Sequence, residues 1–380
     1  MSDKNKEFAS KFLHNKIADR AMYDYNFCLD GWSSEAHWSI TCEMAQTNNY
    51  LPISVVDKNA TVIFYNNSEG YCTDEIFNSI HFLVTAHGFI PERCTYENLA
   101  ANIKEMYDIY CEQRRIYRKI NVRSTCNYDD HTLAQYRSDT PVPQIEELSF
   151  EDKKLYLNLN WNPWTHRLLA IAFLQNNDLI DDGYISSPSF EKYHVDLEKD
   201  WGLLYFKTQE QILKHPEIDD HDFMEKLGQL RLRYPLVLDD RSRFTSPDDV
   251  WNETNKNDLY KYRKNSLVDL VSETYAHGPV MFTEKTFWPI MHTMPFIQIN
   301  SKGALKYLRE LGYSTFHPYI DESYDDEPDL VSRIQKIVTE LSRLKLLRKT
   351  DPALFKDNYD KMLEIARYNT FLFYKKEKNA

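Results

Sequence analysis

A chain of 380 residues with 42% hydrophobic and 27% charged side chains is long enough for two domains, each with its own core. Its net charge of −12 argues against nucleic-acid binding over the whole surface, which needs a positive footprint, but leaves a local basic groove open. With only 9 glycines and no glycine-rich phosphate loop, a conventional NAD enzyme, kinase or GTPase is disfavoured.

No window approaches roughly 18 consecutive apolar residues, so no membrane contact is expected. The polar start, MSDKNKEFASKF, lacks the apolar core of a signal peptide. The 6 cysteines are scattered through the first third without a Cys-x-x-Cys pair, which reads as reduced structural thiols in a cytoplasmic protein with no metal site. Aromatic residues reach 14%, enough to stack sugars or bases as well as to fill cores.

Residues 1–30 are expected to be helical. In the stretch from Asp30 to Trp38, two tryptophans stand beside Glu35 and His37. They suit an acceptor pocket or a buried anchor equally. Strands are expected at 53–56, 61–65 and 82–86. Glu69 follows the second of these in a polar turn. Ligands of open α/β sheets bind beyond the carboxyl ends of strands, so Glu69 is either a catalytic base or one residue of a hydrophilic loop. A long helix is expected over 96–120, with Leu99, Ile103, Met106, Tyr107 and Tyr110 on one stripe. The polar, proline-bearing stretch 137–152 reads as a linker.

A strand at 154–160 then leads through Trp161-Asn162-Pro163-Trp164-Thr165-His166-Arg167 into a helix to Asn176, followed by a strand at 183–186. Residues 187–262 are less regular. Asp220-His221-Asp222 reads as a surface loop rather than a metal–nucleotide motif, and Arg231 to Leu238 as a strand. The flanking Arg231, Arg233, Arg241 and Arg243 serve either an anionic ligand or the neighbouring aspartates.

From Leu267 the chain alternates strand, loop, helix, strand, helix, the grammar of a parallel α/β sheet. The strands are 267–271 and 296–299. Thr283 is the expected N-cap of the intervening helix, with Glu284 in its first turn. A helix N-terminus is an anion site, so Thr283 and Lys285 could grip a diphosphate while Glu273 or Glu284 holds a ribose diol. The plainer reading makes Glu284 and Lys285 a solvated first turn. Glycines 303 and 312 bracket a further helix, and two amphipathic helices close the chain, over 331–349 and from Pro352 to about Thr370.

An acidic residue after a strand, Thr-Glu-Lys opening a helix and a Pro-apolar strand together resemble the donor-site signature of fucosyltransferase-like glycosyltransferases. A strand ending in Leu-Asn, a Pro-bearing turn and His166-Arg167 at a helix start are similar to the first strand–helix unit of the same enzymes. The likeness covers about a third of the chain. It departs where Thr293-Met294-Pro295 replaces a glycine-containing turn, and where Trp161 and Trp164 stand in for basic residues. The resemblance implies a GT-B fold, an α/β architecture of two Rossmann-like domains facing a cleft. The expected domains are an acceptor-side domain over 1–148, a nucleotide-sugar domain over 149–350, and a closing helix over 351–380 that returns to the first domain. It implies that Glu284 contacts the nucleotide ribose while Lys285 and Arg167 contact its phosphates. The function implied is metal-independent sugar transfer from a UDP- or GDP-linked donor, with no other cofactor. Glu69, Glu35 and His37 are the candidate bases. The acceptor is open: a glycan, a protein, or a hydroxymethylated DNA base of the phage kind. The alternative is a non-catalytic nucleotide-binding protein of the same fold.

Overall fold

Short apolar strands alternating with amphipathic helices build two sheets. The computed structural model describes residues 25–30, 39–44, 59, 61–66, 74–125, 147–160, 164–187, 197–234, 236, 238 and 259–376. The chain divides into two compact units, residues 1–127 with 278–281, and residues 128–277 with 282–380. Each is a mixed α/β unit with parallel strand pairing, compatible with a Rossmann-like fold.

The first unit contains β1 (Tyr25–Asp30), β2 (Ser39–Met44), β3 (Val62–Asn66), β4 (Cys94–Asn98) and β5 (Asn121–Ser124), in the order β2-β1-β3-β4-β5. Only the β1–β2 pair is antiparallel. Helices α1 (Asp74–His87) and α2 (Ile103–Arg114) cover it. Its core joins Val62, Phe64, Phe77, Ile80, Tyr96 and Tyr107.

Three expectations change here. Residues 25–30 are strand rather than helix. Residues 82–86 are the end of α1: Ile76, Phe77, Ile80, Leu83 and Val84 are buried at helical spacing while Phe82 is exposed, a period that a five-residue window conceals. The helix expected over 96–120 is confined to α2, because 94–98 enter the sheet buried along their whole length and Arg115 ends the helix in the left-handed region at φ 55°. The expected strand at 53–56 lies outside the described residues. Gly278–Met281 belong to this unit through Ala101 N–H to Val280 O (2.8 Å) and Val280 N–H to Asn102 Oδ1 (2.8 Å).

In the second unit β6 (Lys154–Leu159), β7 (Gly183–Ser186), β8 (Ser266–Ser272) and β9 (Phe296–Ile299) form an all-parallel sheet in the order β7-β6-β8-β9. The helices are α3 (Thr165–Asn176), α4 (Leu197–Ile212), α5 (Asp220–Gln229), α6 (Tyr260–Lys264), α7 (Glu284–Met291), α8 (Ala304–Glu310), α9 (Leu330–Thr350) and α10 (Pro352–Lys376). All seven residues of β8 are buried, as expected of a central parallel strand.

The stretch 187–262 is thus more helical than expected. Asp220 and Asp222 form the first turn of α5 rather than a surface loop, with Asp219 Oδ1 accepting from Asp222 N–H at 3.1 Å. Residues 230–233 form a 3-10 turn in place of the expected strand, which is reduced to a bridge between Leu236 and Ser187. Arg233 pairs with Asp181 at 2.7 Å, and Arg241 and Arg243 lie outside the described residues.

The two units divide at 127/128, and residues 147–152 are tied to the second unit through Leu148 N–H to Asn265 Oδ1 (2.9 Å). The closing helix groups with the second unit. Phe373 meets Phe287 of α7 with ring centroids 5.7 Å apart, and Phe355, Met362 and Ala366 are buried. No helix among the described residues is long and apolar enough to cross a membrane.

Candidate functional site

From β6 the chain moves outward to β7, then returns to the opposite side of β6 as β8. Strand order therefore reverses between β6 and β8, and in open α/β sheets such a reversal opens a crevice beyond the carboxyl ends of the two strands. The residues expected to bind the donor gather there: Arg167 on the first turn of α3, Glu273 after β8, and Thr283, Glu284 and Lys285 at the start of α7.

Helix α3 is buried from His166 to Leu174, which accounts for its apolar sequence on all faces. His166 Nε2 donates to Glu273 O at 2.8 Å. Burial, reinforced by the Arg167 charge, pulls the imidazole down to about 3, so at neutral pH it is uncharged and its proton resides on Nε2. Arg167 is 2% exposed, and its Nη2 donates to Ser272 O (3.3 Å) and Glu273 O (3.1 Å). Arg167 was expected to reach donor phosphates; here it fixes the main chain where β8 ends.

Glu273, expected as a ribose ligand, is fully buried and serves α7 instead. Its Oε1 accepts from Thr283 N–H (3.0 Å), Thr286 N–H (3.2 Å) and Thr286 Oγ1; its Oε2 accepts from Thr283 Oγ1 (2.7 Å) and Thr274 N–H (3.2 Å). A helix N-terminus leaves its first amides without intrahelical partners and favours an anion. The Glu273 carboxylate occupies that seat from within the fold. Thr283 caps α7 as its sequence predicts, with Oγ1 accepting from Lys285 N–H at 3.3 Å, but it too is fully buried. The diphosphate grip expected of this terminus is thus taken up internally.

Glu284 and Lys285 remain. Lys285 Nζ donates to Glu284 Oε1 at 2.6 Å and to Thr283 Oγ1 at 3.2 Å. Burial raises the Glu284 carboxyl, but the Lys285 charge and hydrogen bond outweigh it and hold the group below its ordinary value. The plain reading of a solvated first turn does not hold for Glu284, which is 5% exposed, while the Lys285 side chain retains 19%. These contacts use two of the three ammonium N–H groups, so a ligand recruits Lys285 either through the third or by drawing it from Glu284.

Other polar groups at this edge escaped the sequence reading. Asn158 Nδ2 donates to Leu270 O (2.7 Å) and Ser272 Oγ (3.2 Å), and Asn160 Nδ2 donates to Asn158 Oδ1 (2.6 Å). Arg333 is buried and donates to Ala276 O (2.8 Å), Asn300 O and Glu327 O, clamping the loop after β8 to the end of β9. The available signals were paired asparagines within an apolar strand and an arginine beside the apolar stripe of α9.

In the first unit, Glu35, His37 and Glu69 lie outside the described residues. Glu97, assigned by sequence to a helix, is instead a buried carboxylate near the carboxyl end of β4, ion-paired with Arg123 of β5. Compared with protein-family models, curated proteins and solved structures, the chain matches none.

Proposed function

We propose that this chain is a glycosyltransferase of GT-B architecture, with its second unit binding a UDP- or GDP-linked sugar. The observation that carries the reading is the part-buried Glu284–Lys285 pair, opening a rigidly capped helix where the strand order of a parallel sheet reverses. A carboxylate accepts two hydroxyl donors from a diol, and an ammonium answers the charge of a diphosphate. Arg167, His166, Glu273 and Thr283 act one step back, as positioning residues. They hold the end of β8 and the start of α7 so that Glu284 and Lys285 stand at fixed points.

In this reading a base from the first unit, among Glu69, Glu35 and His37, deprotonates the acceptor hydroxyl while Lys285 stabilises charge on the departing diphosphate. The acceptor is a glycan, a protein or a hydroxymethylated base; retention on a DNA resin at low salt selects the last. The reading does not require a metal, so a chelator should leave activity intact.

A panel of UDP-, GDP-, ADP- and CMP-linked sugars tests the proposal, first by thermal shift and then by release of free sugar. Stabilisation by one nucleotide with sugar release supports it. Stabilisation without turnover on any acceptor class supports a binding protein instead, and no stabilisation by any member overturns both.

A further inference from the structure

The amide of Asn160 has a fixed orientation and one unused atom. Asn158 Nδ2 is committed to Leu270 O and Ser272 Oγ, so Asn158 Oδ1 must face Asn160 and needs a donor there. Asn160 Nδ2 supplies it at 2.6 Å; a flipped amide would set two acceptors against each other. Asn160 Oδ1 is therefore oriented by the network, and it is buried without a hydrogen-bond partner in a side chain only 4% exposed. Such an orphan acceptor is unfavourable unless a donor reaches it. It stands just beyond β6, at the strand-order reversal. Four residues on, Trp164 is 49% exposed at the start of α3.

We propose that Asn160 Oδ1 is a specificity contact, accepting a hydrogen bond from a ribose hydroxyl or base N–H of the bound nucleoside diphosphate. The inference rests on the nucleotide-sugar reading above. The ladder bond from Asn160 N–H to Ser186 O (2.9 Å) stays in place. A site built around a buried acceptor rejects ligands that lack the donor more sharply than an apolar pocket rejects a misfit. Trp164 offers a face on which a base or sugar ring can lie.

Calorimetric titration of the 380-residue chain with UDP and GDP tests this, followed by the 2′-deoxy, 3′-deoxy and base N-methyl forms of whichever binds. One analogue should bind roughly 5- to 100-fold more weakly than its parent, and its identity names the donor group. Asn160→Ala should lose a similar factor for the parent nucleotide and show no further loss for that analogue. Equal binding of all analogues to the native protein overturns the proposal, even if Asn160→Ala does not fold. So does an Asn160→Ala or Asn160→Ser variant that discriminates among the analogues as the native protein does. In either case the donor-site reading survives, because UDP or GDP still binds. Failure of both nucleotides to bind removes the reading and this inference together.

Discussion

Glu284→Gln separates two contributions that coincide in the native protein. Lys285 Nζ lies 2.6 Å from Glu284 Oε1, and the carboxylate is 5% exposed. An anionic ligand that draws Lys285 away leaves a buried carboxylate without its cation. For a partly solvated pair that penalty is on the order of 1–3 kcal/mol, below the ~3–5 kcal/mol of a fully buried one. Bare pyrophosphate bears the penalty without compensation, whereas a nucleoside diphosphate returns two hydroxyl donors to the carboxylate.

In the glutamine variant Lys285 is no longer held by a charge, so pyrophosphate should bind about 5- to 100-fold more tightly. The same release favours the nucleotide, so it cancels in the ratio of the two affinities. What remains in that ratio is the charge-assisted diol contact, roughly 1.5–3 kcal/mol, and selectivity for UDP or GDP over pyrophosphate should fall about 10- to 100-fold. Titration calorimetry of both ligands, at one fixed salt concentration, measures each quantity. If both affinities stay unchanged while the melting temperature drops, the ion pair is a structural element of the α7 cap and the donor-site reasoning fails.

Lys285→Ala should lower kcat for the donor more than it raises KM, because the departing diphosphate is more negative than the bound ester; equal changes in kcat and KM would count against that role. Glu273→Ala strips α7 of a carboxylate that takes five hydrogen bonds, leaves buried donors unpaired at about 1–3 kcal/mol each, and should destabilise by at least that much in urea unfolding. Burial raises the Asp269 carboxyl to about 6, against a partial pull from Arg263 with its Nε 3.8 Å away. Folding therefore favours the protonated form: the contribution is full below pH ~4 and is lost as pH rises to ~6, about 3 kcal/mol in all. Asp269→Asn should remove that slope, and a stability difference from the native protein that stays flat between pH ~4 and ~7 would refute the assignment. A Cβ on Gly183 would lie 2.3 Å from the Tyr156 ring, whose hydroxyl is bonded to Leu179 O at 2.9 Å, so Gly183→Ala should cost about 1–3 kcal/mol by thermal unfolding.

The parts of the second unit readable from sequence are those governed by neighbours in the chain. Thr283 caps α7 because the signal spans three residues, and β8 and β9 stand out as short apolar runs between polar turns. The first unit misled where a short window hid a longer period, as in the buried stripe of α1. Glu273 illustrates a different difficulty. Its type and position after β8 marked it as functional, yet its partners Thr283 and Thr286 lie ten and thirteen residues on, and only the folded loop turns a candidate ligand contact into a helix cap. The hydrogen bonds of Arg167 were out of sight for the same reason: its partners are main-chain carbonyls more than a hundred residues away.

These reassignments narrow what α7 can do rather than weaken it. The loop between β8 and α7 is closed by a direct bond from Thr283 Oγ1 to Glu273 Oε2 at 2.7 Å. Its first end is held by His166 and Arg167, and Arg333 grips it further on at Ala276 O. Each of these cationic or imidazole groups donates to a main-chain carbonyl, so the loop is fixed through backbone that substitution of its side chains cannot remove. With the Glu273 carboxylate occupying the positive end of α7, the anion-binding capacity of that terminus is already answered. In the proposed donor site, recognition of a ligand phosphate therefore turns on the ammonium of Lys285, restrained by Glu284. This is why exchange of that one ion pair, rather than the helix dipole, is the event on which donor binding should depend.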